Sequence, residues 1–364
     1  MRKVGVRQIA KLAGVSLGTV DPALHNREGI SKSTRQHILA IAEQLNYKPD
    51  LAARALSAGR VPTLVGVCIP REIRHYFDHL LAGIVTEARR FERLGIQMIH
   101  RPTVRLGVEE VETLSQLVEL GIQAIIITPR DPAKLTPIID AAEEKNIRVV
   151  CVDTPASRRS AVVCINTEVS GKLAAELMSS FVARKSTVAV LTGMLNIDAH
   201  AKMTRSFCEL YPQLSDGGEV LKVIEAHEDE EEAFQKSYLL LKEFKSLAGI
   251  YVTAVNCLPV CRALCALGLS GKVALVTSDL FRGMAPYFEK GTIRASVHGR
   301  PFVQGQVAMR MVIDNVLNGR PLQRVRYISP HIILRSNFHL CREIHHVEGD
   351  GELDFPSLTK LSVW

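Results

Sequence analysis

The chain has 364 residues, 47% of them hydrophobic and 23% charged, with a formal net charge of +7 at pH 7. A chain of this length and apolar content can form two or three domains with a large core. It has neither the ~20-residue apolar run of a membrane helix nor the apolar segment of an N-terminal signal peptide. We therefore exclude a membrane protein and expect a cytoplasmic one.

The positive charge is concentrated near the N-terminus. Residues 1–60 carry ten basic and four acidic side chains, whereas the remaining 304 residues carry 35 basic and 34 acidic ones. A basic segment attached to a neutral body is typical of proteins that contact the phosphates of nucleic acid. A basic face that serves only solvation is the alternative.

The eight cysteines include no C-x-x-C pair and lie mostly within apolar runs, as buried free thiols do. Cys257, Cys261 and Cys265 recur every four residues along one helical face. A zinc site needs a fourth ligand and usually a tighter spacing, so we expect these sulfurs to pack in a core. The pair His345 and His346 is not expected to bind metal either, and we predict no cofactor.

Residues 7–20 predict two short helices joined by a tight turn at Gly14, with Ser16 as the N-cap of the second helix. Ser31 is placed to cap a third helix. Apolar residues on one face of each helix supply a shared core: Ile9, Ala10, Ala13, Val20, Leu24, Ile38, Ile41 and Leu45. This all-α helix-turn-helix head has the geometry that lays a helix in the major groove of DNA.

Four motifs follow one another in this segment: I-A-x-x-A-G-V-S-x-x-T-V from Ile9, I-S-x-x-T-R from Ile30, L-N-Y-x-P from Leu45 and A-R-A-L-S from Ala53. Together they resemble the lac repressor (LacI/GalR) family of bacterial transcription factors. The resemblance implies that the second helix reads the major groove, and that residues 50–58 form a hinge helix on DNA. It also implies that Leu56 wedges into the minor groove, although an ordinary apolar linker residue is the alternative. The residues expected to contact DNA are Arg7, Ser16, Leu17, Gly18, Thr19, Asp21, His25, Asn26, Ser31, Thr34, Tyr47 and Leu56.

The second helix departs from the family pattern at Asp21 and Pro22, which replace the usual serine and arginine. Asp21 can accept a hydrogen bond from cytosine N4 but cannot donate one to phosphate. Pro22 has no backbone N–H and disfavours helix at the residue before it. We expect either an early end or kink of this helix or an altered docking on DNA, with a changed operator preference. A head that no longer binds DNA is the alternative.

From residue 63 onward, β-rich runs alternate with helical patterns. The predicted strands are residues 64–69, 97–99, 123–127, 148–152, 187–191, 220–224, 249–252 and 273–276. Such alternation favours parallel sheets covered by helices on both faces. The number of strands suits an α/β body of two doubly wound parallel-sheet lobes better than a single barrel.

Polar residues stand where these strands end, which is the edge at which open α/β sheets bind ligands. They are Arg130, Asp131, Asp153, Asn256 and Asp279, while Tyr76 and Phe77 follow the first strand. Carboxylates that accept paired hydroxyl groups, beside an aromatic face that covers C–H groups, predict a site for a sugar or polyol. Helix caps and loop solvation are the alternative for each residue taken alone.

The body also resembles the effector domain of the same family, which is of the periplasmic-binding-protein-like type I. Motifs of the sugar-binding members are matched by residues 129–132, by Val152 with Asp153, by residues 256–259, by Asp279 and by Gln304 with Gly305. The resemblance therefore adds Gln304 to the expected ligand-binding residues. Thr154 and Met203 stand where many sugar binders have arginine, which leaves the identity of the ligand open.

The predicted domains are a DNA-binding head over residues 1–49, a hinge helix and linker over 50–61, a two-lobed effector and dimerisation domain over 62–342, and a flexible extension over 343–364. In this fold the chain crosses between the lobes more than once. We expect residues 62–163 and 294–322 in the first lobe, and residues 164–293 and 323–342 in the second.

The resemblance implies a ligand-responsive transcriptional regulator of sugar metabolism, by family default a repressor, at the nucleoid of a bacterial cytoplasm. Two heads of a homodimer would bind an inverted-repeat operator, and lobe closure around the effector would change how the hinge helices dock. A solute-binding protein that supplies a transporter is one alternative, and a sugar-transforming enzyme is another. The sequence has no Walker loop and no H-E-x-x-H motif, and we expect no enzyme.

Overall fold

The computed structural model describes residues 6–24, 29–45, 62–104, 109–130, 132–156, 158–253 and 257–345. The expected hinge segment over 50–61 and residues 346–364 of the predicted extension lie outside these ranges. Within the ranges, no helix has the length and apolar character needed to cross a membrane.

The head consists of three helices, α1 (Val6–Ala13), α2 (Leu17–Leu24) and α3 (Lys32–Gln44). Gly14 turns the chain between α1 and α2 with a φ of 64°, a left-handed conformation that glycine adopts without a steric penalty. Ile9, Val20 and Ile38 are fully buried where the three helices meet. The apolar faces predicted from the sequence therefore form one core, and that prediction is confirmed.

Helix α2 continues past Pro22 to Leu24, which excludes the early end of this helix, one of the expected alternatives. Proline lacks the N–H that would bond to the carbonyl of Gly18, which removes a single hydrogen bond from an eight-residue helix. Val20 and Ala23, on either side of this position, are buried in the head core. Their burial holds the turn in place, since tertiary packing supplies most of the stability of short helices.

The body alternates strands and helices along most of its length. Its strands are β1 (Thr63–Cys68), β2 (Ile96–His100), β3 (Ala124–Ile127), β4 (Arg148–Val152), β5 (Ala161–Ile165), β6 (Thr187–Thr192), β7 (Glu219–Glu225), β8 (Gly249–Val252), β9 (Ala274–Thr277), β10 (Ile293–His298), β11 (Val325–Ile328) and β12 (His331–Leu334). Its helices are α4 (Arg74–Arg89), α5 (Glu110–Glu119), α6 (Pro132–Glu144), α7 (Thr167–Phe181), α8 (Asp198–Leu214), α9 (Glu230–Glu243), α10 (Leu258–Ala266), α11 (Ala285–Glu289), α12 (Pro301–Asn318) and α13 (Arg342–His345).

The strands form two six-stranded sheets, one in each lobe. The first has the order β11-β5-β4-β3-β1-β2, and the second has the order β12-β10-β9-β8-β6-β7. All pairings in the first sheet are parallel, whereas in the second β12 runs antiparallel to β10. The predicted architecture of two doubly wound lobes is confirmed.

The sheets are buried on both faces, which explains why their strands read as continuous apolar runs. In β3, Ala124 and Ile126 belong to one core layer of the first lobe, while Ile125 and Ile127 belong to the layer on the other side. This alternation follows from the two-residue period of a strand. The second lobe has the same two layers around its own sheet.

The boundaries expected between the lobes are wrong in two places. β10 pairs with β9 in the second sheet, so the chain leaves the second lobe only after His298. β11 then pairs with β5 in the first sheet, and β12 returns to β10 in the second. The first lobe thus contains residues 62–165 and 301–328, and the second contains 166–298 and 331–345. The spacing of strands along a chain does not reveal which sheet each one joins.

Helices α4 and α12 of the first lobe pack with their backbones in contact. A Cβ atom on Gly83 would lie 2.0 Å from the carbonyl oxygen of Phe302, and one on Gly305 would lie 2.1 Å from that of Leu80. Only glycine permits so close an approach. The contact matters for the ligand site because α4 carries Tyr76 and α12 carries Gln304.

Candidate functional site

The head presents several of the expected DNA-contact residues on its surface. Arg7 and Gly18 are exposed, and Leu17 is 48% exposed although it is apolar. The hydroxyl of Thr19, which is half-buried, lies 2.8 Å from that of Ser16. The first turn of α2 is therefore an exposed surface without charge, which can approach the edges of base pairs.

Ser31 caps α3, as predicted. Its hydroxyl accepts a hydrogen bond of 3.1 Å from the backbone N–H of Thr34 and lies 2.8 Å from the Thr34 hydroxyl. A capped, anchored helix end is a suitable place for contacts to DNA phosphates. Four further expected contacts lie outside the described residues: His25, Asn26, Tyr47 and Leu56. The side chain of Asp21 is outside them as well.

In the body, three predicted ligand-binding residues from distant parts of the first lobe form one hydrogen-bonded chain. The hydroxyl of Tyr76 donates to the carboxylate of Asp153 and accepts a hydrogen bond of 3.2 Å from the side-chain amide of Gln304. The same amide donates to the carbonyl of Gly299 at 2.9 Å. Both contacts need an N–H donor, so they establish which terminal atom of the Gln304 amide is nitrogen and which is oxygen.

Asp153 stands at the first position after β4 with a φ of 68°. Aspartate tolerates this left-handed conformation better than most residues, and it turns the carboxylate toward Tyr76. Burial raises the pKa of Asp153, while hydrogen bonds from the hydroxyls of Tyr76 and Thr154 act in the opposite direction. Burial also raises the pKa of Tyr76, and the charge of Asp153 adds to that increase.

Asp279 follows β9 in the second lobe and is 9% exposed. Its pKa is raised well above the ordinary value by burial first, and then by the charges of Asp153 and Glu228. His75, on α4 of the first lobe, reaches across: its Nε2 is 3.9 Å from an oxygen of Asp279 and its ring lies 4.4 Å from that of Phe281. The two lobes therefore bring their acidic groups to a shared cleft.

Arg130 is held by a buried carboxylate at the start of α5. Both oxygens of Glu110, which is 3% exposed, accept hydrogen bonds from the backbone N–H of Arg130, at 3.0 and 3.1 Å. Cys68, at the end of β1, is close enough that Glu110 adds to the effect of burial in raising the Cys68 pKa to about 12. Glu110 thus ties the turn after β3 to the first lobe.

His200 faces Arg130 from the second lobe. Its Nδ1 accepts a hydrogen bond of 3.1 Å from the backbone N–H of Met194, and its Nε2 is 3.6 Å from an oxygen of Glu228. The pKa of His200 is lowered to about 4, chiefly by burial and also by the charge of Arg130, while the hydrogen bond from Met194 acts in the opposite direction. A neutral ring agrees with the acceptor role of Nδ1.

The structure places one further predicted residue, Phe77, in a hydrophobic core instead. Phe77 is 4% exposed and belongs to the core of the first lobe, where its ring meets that of Tyr76 edge-on at 5.3 Å. Phe77 therefore supports the Tyr76 ring from the side of the core. Asp131 and Asn256 lie outside the described residues.

Four residues at the cleft were not singled out in the sequence: His75, Glu110, His200 and Phe281. His75 precedes Tyr76, and Phe281 lies two positions after Asp279. This proximity in the sequence is the signal by which both could be found. Glu110 and His200 stand within or at the start of helices, where no strand-end pattern marks them.

The expected packing of the cysteines is confirmed for Cys257 and Cys261, which are buried in the core of the second lobe. Cys265 is exposed, and its sulfur lies 3.2 Å from the hydroxyl of Ser270. Within the described ranges, no three His, Cys, Asp or Glu side chains are grouped to hold a metal ion. The chemistry of the cleft is instead that of hydrogen-bond acceptors on two facing walls, with Tyr76 and Arg130 as donors.

Two protein families match this chain. Residues 6–50 match the family described as bacterial regulatory proteins of the lacI family, and residues 65–321 match the periplasmic binding protein domain. The second match covers most of the chain, and the two segments coincide with the head and the body.

Similar curated proteins are transcription regulators by name. The regulator AscG of Escherichia coli is 33% identical over 138 residues, which are 37% of this chain and 40% of AscG. Catabolite control protein B of Bacillus subtilis is 30% identical over 41% of this chain and 46% of its own length. The sucrose operon repressor of Escherichia coli is 43% identical over 17% of this chain and 19% of its own length. The chain therefore aligns with less than half of each of these relatives.

Solved structures resemble the body. A glucose-galactose binding protein from Geobacillus stearothermophilus superposes with a TM-score of 0.68 at 23% identity, over 76% of this chain and 99% of that one. A sugar-binding protein of an ABC transporter from Bacillus halodurans gives a TM-score of 0.71 at 20% identity, over 77% of this chain and 99% of that one. These likenesses establish the fold of the two lobes. From its head and its body together, the chain belongs to the lacI family of bacterial regulatory proteins, with a periplasmic binding protein domain as its larger part.

Proposed function

We propose that the chain is a ligand-responsive transcriptional repressor of genes for sugar metabolism, which binds an inverted-repeat operator as a homodimer. The observation that carries the proposal is the presence in one chain of a helix-turn-helix head and a clamp whose two walls hold Asp153 and Asp279. Relatives that share the head are named as repressors of sugar operons, and proteins that share the fold of the clamp are named as sugar-binding proteins. Both names support the proposal without extending to the ligand itself.

In the proposed complex, the first turn of α2 enters the major groove. Leu17, Gly18 and Thr19 approach the base edges there, while Arg7 and the capped start of α3 contact phosphates. The concentration of basic residues before position 60 supports a large electrostatic contribution, so affinity falls steeply as salt rises.

The clamp regulates the head through its closure. A ligand held by Tyr76, Asp153 and Gln304 of the first lobe and by Asp279 of the second favours the arrangement in which both walls contact it. Residues 50–61 join the head to the first lobe, and Leu56 is the proposed minor-groove wedge. A rotation of the lobes changes the separation of the two such segments in a dimer. It thereby couples ligand binding to DNA binding. We place this protein at the nucleoid of a bacterial cytoplasm, where its operator is found.

An electrophoretic mobility shift with the full chain and a library of genomic promoter fragments tests the proposal. We expect a subset of fragments to shift at low salt, and the double variant Arg7→Ala, Thr19→Ala to lose that specific shift. The matched control is Arg93→Ala, which removes an exposed basic residue of the body and should leave the shift unchanged. Equal weak binding of all fragments by the unaltered chain contradicts the proposal.

We propose no catalytic role, in line with the regulator names of the relatives. Acid–base chemistry by Asp153 and Asp279 is the competing use of the same carboxylates. Incubation of the full chain with a panel of sugars, followed by product analysis, separates the two: turnover of any sugar contradicts a purely regulatory site.

A further inference from the structure

The cleft between the lobes holds an excess of hydrogen-bond acceptors. Asp153 comes from the first lobe and Asp279 from the second, and the charge of Asp153 acts directly on Asp279. Glu228, from the second lobe, acts on Asp279 as well. Carboxylates that accept hydrogen bonds but donate none when ionised therefore line both walls.

Within the described residues, the side-chain donors of the Tyr76–Asp153–Gln304 group are already engaged. The Tyr76 hydroxyl donates to Asp153, and the Gln304 amide donates to Tyr76 and to Gly299. His75 is 3.9 Å from Asp279, which is longer than a hydrogen bond. The remaining hydrogen-bonding capacity of this group is thus mainly that of acceptors.

A second observation is independent of the carboxylates. Gln304 is fully buried, and its side-chain oxygen has no hydrogen-bond partner among the described residues. The amide nitrogen of the same side chain donates to Tyr76, which in turn donates to Asp153, so Gln304 belongs to the same hydrogen-bonded group. A buried acceptor without a donor is destabilising and is expected where a bound molecule supplies the donor.

In the part of the chain that the structure describes, neither Asp153 nor Asp279 pairs with a lysine or an arginine, and the charged contact of Asp279 is with His75 at 3.9 Å. A sugar hydroxyl satisfies acceptors but leaves the charge unchanged, whereas an ammonium group has three donors, no acceptor and one positive charge. We propose that the ligand of this cleft is a sugar or polyol that carries a protonated amine, an inference that rests on the proposed role of the cleft as the effector site.

The amine lies between Asp153 and Asp279 and donates to both, and a third donor is available to the oxygen of Gln304. Closing the lobes brings the two carboxylates toward one cation, so the ligand removes the repulsion that otherwise opposes closure. A neutral analogue of the same shape leaves that repulsion in place. The amine therefore both strengthens binding and stabilises the closed arrangement of the lobes.

This arrangement couples ligand binding to the release of protons. Burial and the charges of Asp153 and Glu228 hold the pKa of Asp279 well above its ordinary value in the unliganded protein. A bound cation lowers that pKa, so binding releases protons, and affinity rises with pH while the amine stays protonated. A neutral ligand releases no protons by this route.

Matched pairs of probes test the inference on the full chain. The pairs are D-glucosamine with D-glucose, D-galactosamine with D-galactose, and N-methyl-D-glucamine with D-glucitol; N-acetyl-D-glucosamine is the uncharged control of similar size. Thermal shift ranks the probes, and calorimetry in two buffers of different ionisation enthalpy gives Kd and the protons released. We expect at least one amine to bind about tenfold or more tightly than its neutral partner, equivalent to about 1.4 kcal/mol, with proton release.

Asp279→Asn and Asp153→Asn should each reduce this preference to about threefold or less, because each removes one negative charge from the site of the amine. Asp140→Asn is the matched control: Asp140 lies on α6, pairs with Arg158 at 3.6 Å and has a side chain that is 45% exposed, so the preference should be unchanged. Two acidic positions keep the test valid if one variant fails to fold.

Equal or tighter binding of the neutral partners overturns the inference, and so does a panel in which no amine raises the melting temperature. Preference for an amine that survives both aspartate substitutions overturns the assigned place of the amine. These outcomes do not depend on DNA. A chain that prefers amines but shifts no promoter fragment would overturn the proposed function and leave the ligand class intact.

Discussion

The hydroxyl of Tyr76 donates a hydrogen bond to the carboxylate of Asp153, although 77 positions separate the two residues in the chain. Tyr76 is on α4 and Asp153 follows β4, so the bond joins a helix to the edge of the sheet that it covers. Gln304, on α12, completes the group through its own bond to Tyr76. The hydroxyl of Tyr76 therefore organises the wall of the cleft in the first lobe.

Replacement of Tyr76 by phenylalanine should weaken ligand binding without unfolding the protein. Phenylalanine keeps the ring and its edge-on contact with Phe77 but removes the donor to a carboxylate, a bond worth about 1.5–3 kcal/mol. We expect Kd for a ligand of the cleft to rise about tenfold or more, measured by calorimetry. Tyr327→Phe, at a ring that is 57% exposed, is the control. Unchanged affinity in Tyr76→Phe would remove Tyr76 from the site.

Replacement of Asp279 by asparagine should stabilise the unliganded protein at neutral pH. The pKa of Asp279 is raised in the folded state, so the folded protein binds the proton more strongly than the unfolded chain does. The stability that this proton provides is complete below the unfolded pKa and is lost as pH rises through the folded pKa. Asparagine avoids that loss.

The melting temperature of Asp279→Asn should therefore exceed that of the unaltered chain at neutral pH, and the difference should shrink as the pH approaches about 4. Differential scanning calorimetry across this range measures it. A variant that melts below the unaltered chain at every pH would contradict the raised pKa.

Glu343 should give a pH dependence of the opposite sign. Burial alone would raise its pKa, but a contact of 3.2 Å with His298, together with the charges of His298 and His79, outweighs burial and holds the pKa at about 2. Its stabilising contribution is present above the unfolded pKa, 4.5, and is lost as pH falls toward 2.

We expect Glu343→Gln to lower the melting temperature at neutral pH and to lose less stability than the unaltered chain between about pH 5 and pH 2. Glu119→Gln, at an exposed position of α5, serves as control and should follow the unaltered chain. If the melting temperatures of Glu343→Gln and of the unaltered chain fall in parallel as the pH is lowered, the His298 contact does not form.

The close approach of α4 and α12 predicts that Gly305→Ala is strongly destabilising. The added methyl group would lie 2.1 Å from the backbone oxygen of Leu80, which no side-chain rotation can relieve. Overpacking of this kind costs about 1–3 kcal/mol or more, and the shift of α12 should also weaken ligand binding through Gln304. Gly18→Ala is the control, since its new methyl would be 3.7 Å from its nearest neighbour, the Ser16 hydroxyl oxygen. Denaturant unfolding measures both, and equal midpoints would contradict the packing.

Local patterns in the sequence predicted the head almost completely. Ser31, Gly14 and the apolar faces around Ile9 and Ile38 act within one to three helical turns, where capping and periodicity apply. The early end of α2, one of the alternatives that Pro22 suggested, does not occur because the burial of Val20 and Ala23, which is a tertiary effect, overcomes the local effect of the proline.

The body was predicted less evenly. Apolar runs such as Ala124–Ile127 mark buried strands, but β5, β10, β11 and β12 are absent from the predicted set. β11 and β12 lie at sheet edges with exposed residues such as Tyr327 and Ile332, so their sequences resemble loops. The lobe crossings follow from strand pairing over long distances, which spacing does not encode.

Strand-end polarity located Asp153 and Asp279, and proximity to the first strand located Tyr76. The same reasoning had no means to find Glu110 or His200, because their roles arise from contacts to Arg130 and Glu228 across the fold. It also gave Phe77 the same status as Tyr76, although neighbouring positions on a helix face different ways: one ring meets Asp153 and the other lies in the core.

Occupation of the cleft should change the affinity of the head for DNA. Fluorescence anisotropy measures this with a labelled promoter fragment that the chain shifts, titrated at fixed salt with and without a ligand that raises the melting temperature. We expect the ligand to change Kd for the fragment by about fivefold or more, and Asp279→Asn to remove this change while it keeps the affinity of the unliganded protein for the fragment. The same Kd with and without ligand would show that the cleft does not regulate the head.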